Sequence, residues 1–157
     1  GIPGACVARG VHAFHGAGRR MEFKGDYHGA KVYDDYAHHP DEVRATLEAI
    51  RGMSRNRLVL AFQPHTYTRT KLLLEDFVRE LGKADVLVLA EIYAARESNT
   101  VGISSADLAR RIPGAIYCET LQEVTATLRE TVRPGDIVVT MGAGDIFRAG
   151  EALLAKE

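Results

Sequence analysis

Seven residues, Asp34-Asp35-Tyr36-Ala37-His38-His39-Pro40, bring two carboxylates, a phenol and two imidazoles together. Carboxylates accept hydrogen bonds from hydroxyls, and imidazoles gain or lose a proton near neutral pH. A second cluster, Gln63-Pro64-His65-Thr66-Tyr67-Thr68-Arg69-Thr70, places another imidazole four residues before an arginine. The planar fork of Arg69 suits a carboxylate or a phosphate. A third, Gly142-Ala143-Gly144-Asp145, has the glycines of a backbone nest for an anion, although it is neither Gly-x-Gly-x-x-Gly nor a phosphate loop. Glu91-Ile92-Tyr93-Ala94-Ala95-Arg96-Glu97 is polar enough to gate the same mouth or to form a surface loop.

Plainer roles compete at each position. His38 or His39 could cap or pack against the next helix, Arg69 could pair with Glu75 or Asp76, and Asp145 could cap the last helix. Adjacent histidines rarely face one ion and no His-Glu-x-x-His is present, so no metal site is expected from these side chains. A carboxylate following a strand suits a ribose, which makes Asp35 the candidate for hydroxyl recognition. Ser98, Ser104 and Ser105 lack a nucleophile elbow. Cys118 has no histidine paired with it in sequence.

The elements that position these clusters follow from periodicity. Arg20 to Lys24 alternates polar and apolar, Gly25 to Ala30 reads as a turn-rich link, and Lys31 to Asp34 completes a hairpin. Asp41 to Arg51 is helical, with Val43, Leu47 and Ile50 on one face. Leu58-Val59-Leu60-Ala61-Phe62, Val86-Leu87-Val88-Leu89, Ala115-Ile116-Tyr117-Cys118 and Ile137-Val138-Val139-Thr140 read as strands. One helix is expected over 70–81, a short one through Leu108 capped by Ser104 or Ser105, and two more over 121–132 and 146–156. Strand and helix alternate, and the strands are continuous apolar runs. That predicts a three-layer α/β fold: a mostly parallel, Rossmann-like sheet, helices on both faces, and an N-terminal antiparallel hairpin. Each polar cluster follows a strand, so all should meet at one edge of the sheet, where parallel sheets bind ligands.

The chain has 157 residues, 46% of them apolar, and a formal net charge of -1. This is one domain with a real core. The balanced charge argues against nucleic-acid wrapping, and no 18-residue apolar run suggests a membrane helix. No secretory leader is legible, and Gly1-Ile2-Pro3-Gly4 without an initiator Met reads as a fragment or an excised domain. Residues 1–18, with a short helix ending near Val11 to Phe14 and closed by Gly16 and Gly18, look like the tail of a preceding domain or a linker, and 19–157 like the domain proper. Cys6 and Cys118 read as reduced thiols.

Taken together, Arg19-Arg20-Met21-Glu22, the two histidine clusters with Phe62 before the second, the Glu91–Glu97 segment and Gly142-Ala143-Gly144-Asp145-Ile146 resemble the C-terminal domain of the UDP-N-acetylmuramate–L-alanine ligases, within the Mur ligase family. The resemblance covers nearly the whole chain. Asp-Asp-Tyr-Ala-His-His-Pro and Phe-Gln-Pro-His are specific to the L-alanine-adding branch and a relative that attaches a ready-made tripeptide. The resemblance implies a third domain that closes over a site shared with a UDP-sugar domain and a central ATPase domain. It implies ATP and Mg2+, held mainly by the central domain, UDP-N-acetylmuramate and L-alanine as substrates, the rest of the same polypeptide as partner, and a cytoplasmic setting. The sugar's carboxylate would be phosphorylated and the amine of L-alanine would attack the acyl phosphate. Carried onto this chain, Arg20 would reach the ATP, Asp35 its ribose, and Tyr36, His38, His65 and Arg69 would frame L-alanine. Arg69 would hold the carboxylate, with His65 beside it and Gly142 to Asp145 lining the cleft. Many relatives have Asn where this chain has Asp145, which puts a negative charge beside the expected nest. A tripeptide-adding ligase, a non-catalytic nucleotide-binding domain and an interaction module with an exposed apolar patch are the alternatives.

Overall fold

The structure, a computed structural model, describes residues 2–13, 18–54 and 56–155. A helix, α1 (Gly4–Ala13), precedes the domain, and side chains 2–9 are exposed. Of the expected N-terminal segment, Phe14 to Ala17 lie outside the described residues, so the closure expected at Gly16 does too.

Six strands form one sheet: β1 (Glu22–Tyr27), β2 (Ala30–Asp35), β3 (Leu58–Phe62), β4 (Val86–Ala90), β5 (Ile116–Cys118) and β6 (Ile137–Met141). Their order is β1-β2-β6-β3-β4-β5. Only β1 against β2 is antiparallel; every other pairing is parallel. The helices are α2 (Pro40–Met53), α3 (Tyr67–Leu72), α4 (Leu74–Leu81), α5 (Ser105–Ala109), α6 (Leu121–Thr131) and α7 (Phe147–Leu154).

Side-chain alternation along the central strands explains the three layers. Leu58, Leu60 and Phe62 of β3 join Val139 and Met141 of β6 beneath Val43, Leu47, Ile50, Phe77, Leu81 and Leu108 of α2, α4 and α5. Val59 and Ala61 of β3 join Val32, Val88 and Val138 beneath Val124, Leu128, Ala149 and Leu153 of α6 and α7. Both faces of β3 and β6 are therefore buried, which is why these strands are apolar without interruption.

Three local expectations need correction. β1 runs on to Tyr27, with a register shift between Phe23 and Gly25, because the reversal is a tight turn at His28-Gly29 with φ of 47° and 86°. Positive φ at both turn residues matches the twist of the flanking strands. The helix expected over 70–81 starts at Tyr67 and breaks at Leu73, whose φ of -106° and ψ of 22° lie off helical geometry. The last helix spans Phe147–Leu154, and Asp145 does not cap it. Histidine does cap α2: the Asp41 amide donates to His39 Nδ1, and the Glu42 carboxylate accepts from the His39 amide. Thr120 caps α6 in the same reciprocal way, and at α5 the Asp107 carboxylate accepts from both the amide and the hydroxyl of Ser104.

At the edge opposite the polar clusters, Arg57 donates to both oxygens of Asp136 at 3.0 and 2.7 Å and to the Thr131 carbonyl at 2.8 Å. This ties the entry of β3 to the end of α6 and the entry of β6. Burial opposes ionisation of Asp136, but the Arg57 guanidinium and the Arg133 amide outweigh it and hold the carboxyl below the usual carboxylate range. A carboxyl depressed in the folded state stabilises fully above its unfolded pKa, about 3.9, and loses that contribution as pH falls through the folded value. Asp136→Asn should therefore destabilise by about 1–3 kcal/mol at pH 7. It should also flatten the loss of stability below about pH 4. Urea melts across pH check both; an unchanged acid limb would remove Asp136 from that role.

Candidate active site

The loops after β2, β3, β4 and β6 meet at the carboxyl edge of the sheet. Backbone bonds carry the ladders past the strand ends: the Gly142 amide donates to the Asp35 carbonyl at 3.0 Å and the Gln63 amide to the Met141 carbonyl at 3.0 Å. His65 and Tyr93 extend the β3–β4 pairing as an isolated parallel bridge. The topology thus delivers the expected residues to one edge, and side chains then lock the loops together.

Gln63 is the lock. Its Oε1 accepts from the amides of Asp145 at 3.0 Å and Ile146 at 3.1 Å, and its Nε2 donates to Asp145 Oδ1 at 3.0 Å. Of the expected nest, the Asp145 amide is therefore taken by Gln63 and the Gly142 amide by the Asp35 carbonyl, and the Asp145 carboxylate is an acceptor for Gln63. A Cβ on Gly144 would stand 2.3 Å from Gln63 Oε1 and 2.7 Å from Tyr93 Cγ. Glycine is required there by proximity rather than by backbone angle.

Arg19 is the second lock. Its Nε donates to Asp34 at 2.8 Å and its terminal nitrogens reach the carbonyls of Gly142 at 2.7 Å and Gly144 at 3.3 Å. The guanidinium carbon lies 5.0 Å from the Tyr36 ring centroid and 4.8 Å from that of Phe147. Asp34 is buried and also accepts from the Thr140 hydroxyl at 2.8 Å. The Arg19-Arg20 doublet was visible in sequence, but nothing there distinguished the member turned into the structure from the exposed one, Arg20, which lies 6.0 Å from the Tyr36 ring. Gln63 was passed over because an amide beside a proline and a histidine carries no chemistry of its own.

Asp35 stands apart from the cleft-facing group. It is 4% exposed, and its oxygens accept from the amides of Met21 and Ala37 at 2.8 Å each and from the Thr46 hydroxyl at 3.4 Å. In this conformation its carboxylate organises the chain around β2.

Tyr36, His38, His65 and Tyr93 form an aromatic row. Tyr36 meets His38 edge-on at 5.3 Å, His38 meets His65 at 5.8 Å, and His65 stacks on Tyr93 at 5.7 Å. Tyr36 and Tyr93 are 37% and 38% exposed, so the row fronts solvent. Arg69, half-buried on α3, approaches His65 Nδ1 at 3.5 Å. The neighbours that could have neutralised Arg69 are engaged elsewhere: Glu75 with Arg111 and Asp76 with Arg79.

Proton positions follow from the partners. Arginine only donates, so His65 Nδ1 faces it with a lone pair and Nε2 carries the hydrogen. His38 Nδ1 lies 2.9 Å from the Tyr36 carbonyl and 3.4 Å from Glu42 Oε2, both acceptors, so Nδ1 carries a hydrogen. Burial, then Arg69 and His38, lower the His65 pKa from its ordinary value, while Glu97 opposes them. His65 is thus neutral near pH 7. Among the described residues no group of three or more His, Cys, Asp or Glu side chains could hold a metal ion. No helix among them is long and apolar enough to cross a membrane.

An α/β domain with a Rossmann-like sheet and polar loops gathered at its carboxyl edge is the class that fold and site define. A family profile described as "Mur ligase, glutamate ligase domain" matches residues 19–144. The chain belongs to that Mur ligase family. It is 48% identical to UDP-N-acetylmuramate--L-alanine ligase of Lachnospira eligens, over 94% of this chain and 33% of the relative, and 48% identical to that of Agathobacter rectalis, over 99% and 35%. The chain thus spans about a third of the length of these curated relatives. The crystal structure of UDP-N-acetylmuramate-alanine ligase from Thermotoga maritima superposes with a TM-score of 0.73 at 27% identity, covering 96% of this chain and 32% of that one. Bifunctional folylpolyglutamate synthase/dihydrofolate synthase of Yersinia pestis shares the fold, with a TM-score of 0.72 at 13% identity over 98% of this chain and 34% of that one.

Two outcomes test the geometry. Gly144→Ala should cost about 1–3 kcal/mol, since the new methyl must displace Gln63 or Tyr93. Gly52→Ala, with nothing within 4 Å, should not destabilise; equal melting temperatures for the two variants would refute the close approach. In NMR titrations His65 should protonate below the ordinary histidine value of about 6.5. Arg69→Leu should raise that midpoint, and an unmoved midpoint would detach the two residues.

Proposed function

We propose that this chain is the amino-acid-binding, C-terminal domain of an ATP-dependent ligase that joins L-alanine to UDP-N-acetylmuramate in peptidoglycan synthesis in the cytoplasm. Residues 1–18 would be the tail of a preceding domain or a linker, and 19–157 the domain itself. The observation that carries this is Arg69: a half-buried guanidinium that, among the described residues, has a neutral imidazole rather than a carboxylate as its partner. A site of this kind awaits a carboxylate from outside.

The two tautomers fit an amino acid at both ends. Arg69 and the Nε2 hydrogen of His65 take the carboxylate of L-alanine. His38 offers the Nε2 lone pair to its amino group and orients it, or takes its proton. Tyr36 and Tyr93 close the two ends of the row and keep water from the reacting amine. ATP supplies the phosphoryl group that makes the sugar substrate's carboxylate reactive. Arg20, exposed beside Tyr36, is placed to meet the nucleotide when the domains close. Asp35 fits a ribose poorly while its oxygens hold backbone amides, and its support for the Tyr36–His38 loop is indirect. Gly142 to Asp145 line the cleft through backbone rather than as an anion nest. Mg2+ and the phosphates would be held mainly by the remainder of the polypeptide, as family membership implies. Curated relatives at 48% identity bear the name of the L-alanine ligase, which favours L-alanine over a tripeptide as the added group.

A domain that contributes one wall of a site should fold without turning over. This chain alone, given UDP-N-acetylmuramate, ATP, Mg2+ and L-alanine, is expected to release no phosphate. Mixed or covalently joined with the sugar and ATPase domains, it should release phosphate only when L-alanine is present. Arg69→Ala should then raise KM for L-alanine on the order of a hundredfold, the loss typical of a truncated charge contact. Ligation by the chain alone, or L-alanine-independent release by the joined protein, would refute the assignment.

A further inference from the structure

Arg69 can receive a carboxylate only if α3 holds it in place, and α3 has little means of its own. It is six residues long, well short of what stands unaided in water. Its N-cap, Thr66, makes no side-chain cap bond and sits at φ 70° and ψ 142°, costly for a β-branched residue. Such a conformation persists where its surroundings impose it.

The surroundings are the loop after β4. The Thr66 amide donates to the Tyr93 carbonyl at 2.9 Å, and the Tyr93 amide to the Pro64 carbonyl at 2.9 Å. A turn then brings the chain back, with Ala95 at φ 53° and the Glu97 amide on the Ala94 carbonyl at 2.9 Å. It delivers the Glu97 carboxylate to the first turn of α3. One oxygen accepts from the Thr68 amide at 2.9 Å and the other from the Thr68 hydroxyl. The Tyr67 amide and the Thr66 hydroxyl add to the same interaction. A carboxylate from 29 residues downstream thus does what the helix's own N-cap does not. The same loop carries Tyr93, the ring stacked on His65.

We propose that Glu97 is a positioning residue for the amino-acid site: it caps α3 from outside and thereby sets where Arg69 and His65 meet the substrate carboxylate. Its role toward substrate rests on the function proposed above; its role toward α3 does not. Its charge is spent on helix amides, so it does not compete for the Arg69 guanidinium. It still acts on His65 through space, opposing Arg69 and His38.

Glu97→Ala, Glu97→Gln and Glu97→Asp separate the possibilities. In this chain, Glu97→Ala should speed hydrogen exchange at the Thr68 amide at least tenfold. Glu97→Gln should lower the His65 midpoint further by removing a negative charge; the other groups facing that ring are Arg69, His38 and Tyr93. In the full-length ligase, Glu97→Ala should raise KM for L-alanine at least tenfold with KM for ATP within twofold, and Glu97→Asp should recover part of it. Unchanged KM for L-alanine, or a parallel fall in every kinetic constant with the folded fraction, would overturn the proposal. If the wild-type ligase shows no dependence on L-alanine, the function fails instead. Thr68 exchange then still decides whether Glu97 sets α3, unchanged protection counting against it.

Discussion

The carboxamide of Gln63 holds the site edge together. It leaves β3 at the point where the ladder to β6 ends, and it satisfies two amides of the following loop while donating to Asp145. A buried amide with unmet bonds costs roughly 1–3 kcal/mol, so a group that meets two at once confines the loop to one path. That path brings Gly144 so near Gln63 and Tyr93 that no side chain fits between them. Tyr93 in turn bears His65, and His65 bears Arg69. Moving any one member disturbs the next, so the placement of the Arg69 charge depends on an uncharged residue at the end of β3.

The same bonds limit the Gly142 to Asp145 loop as an anion nest. Two glycines after a strand leave amides free only if nothing else claims them. Gln63 claims that of Asp145 and the Asp35 carbonyl that of Gly142, and Arg19 occupies the carbonyls of Gly142 and Gly144. The loop is polar because it must be joined to three elements, and its polarity is largely consumed in joining them. Asp145 fits this arrangement, since its carboxylate accepts from the Gln63 amide instead of facing the cleft.

The layers were legible in the sequence for a simple reason. Leu58 to Phe62 and Ile137 to Met141 are apolar at every position but Thr140, which a strand buried on both faces requires, and α2 and α6 show their apolar stripes plainly. The meeting of His38, His65 and Arg69 was legible as well, because each follows a parallel strand. What was not legible was the partition of like residues between structure and solvent. Asp34 and Asp35 are both buried, one on Arg19 and one on backbone amides, whereas of two adjacent arginines only Arg20 is exposed. Those outcomes depend on Arg19, Met21 and Glu22 folding back across β2, a contact between elements that periodicity does not encode. The break at Leu73 was hidden for a similar reason. Leu73, Leu74, Phe77, Val78 and Leu81 keep helical spacing across it, while the start of α3 is set by Glu97 from another loop.

One rule governs buried charge in the domain: each buried carboxylate meets a cation or, for Asp35, backbone amides. Asp136, Asp34 and Glu80 are buried beside cations that answer them: Arg57, Arg19, and Arg79 with Lys83. Half-buried Arg69 departs from it. Its guanidinium abuts the aromatic row at His65, whose proton affinity burial and then Arg69 itself lower, and the ring turns a lone pair, not a charge, toward it. Holding a cation in such a place without a carboxylate costs solvation, and the cost is recovered only when an anion arrives. Under the proposed function that anion is the carboxylate of L-alanine, and His65 and His38 would meet the amino acid's two ends.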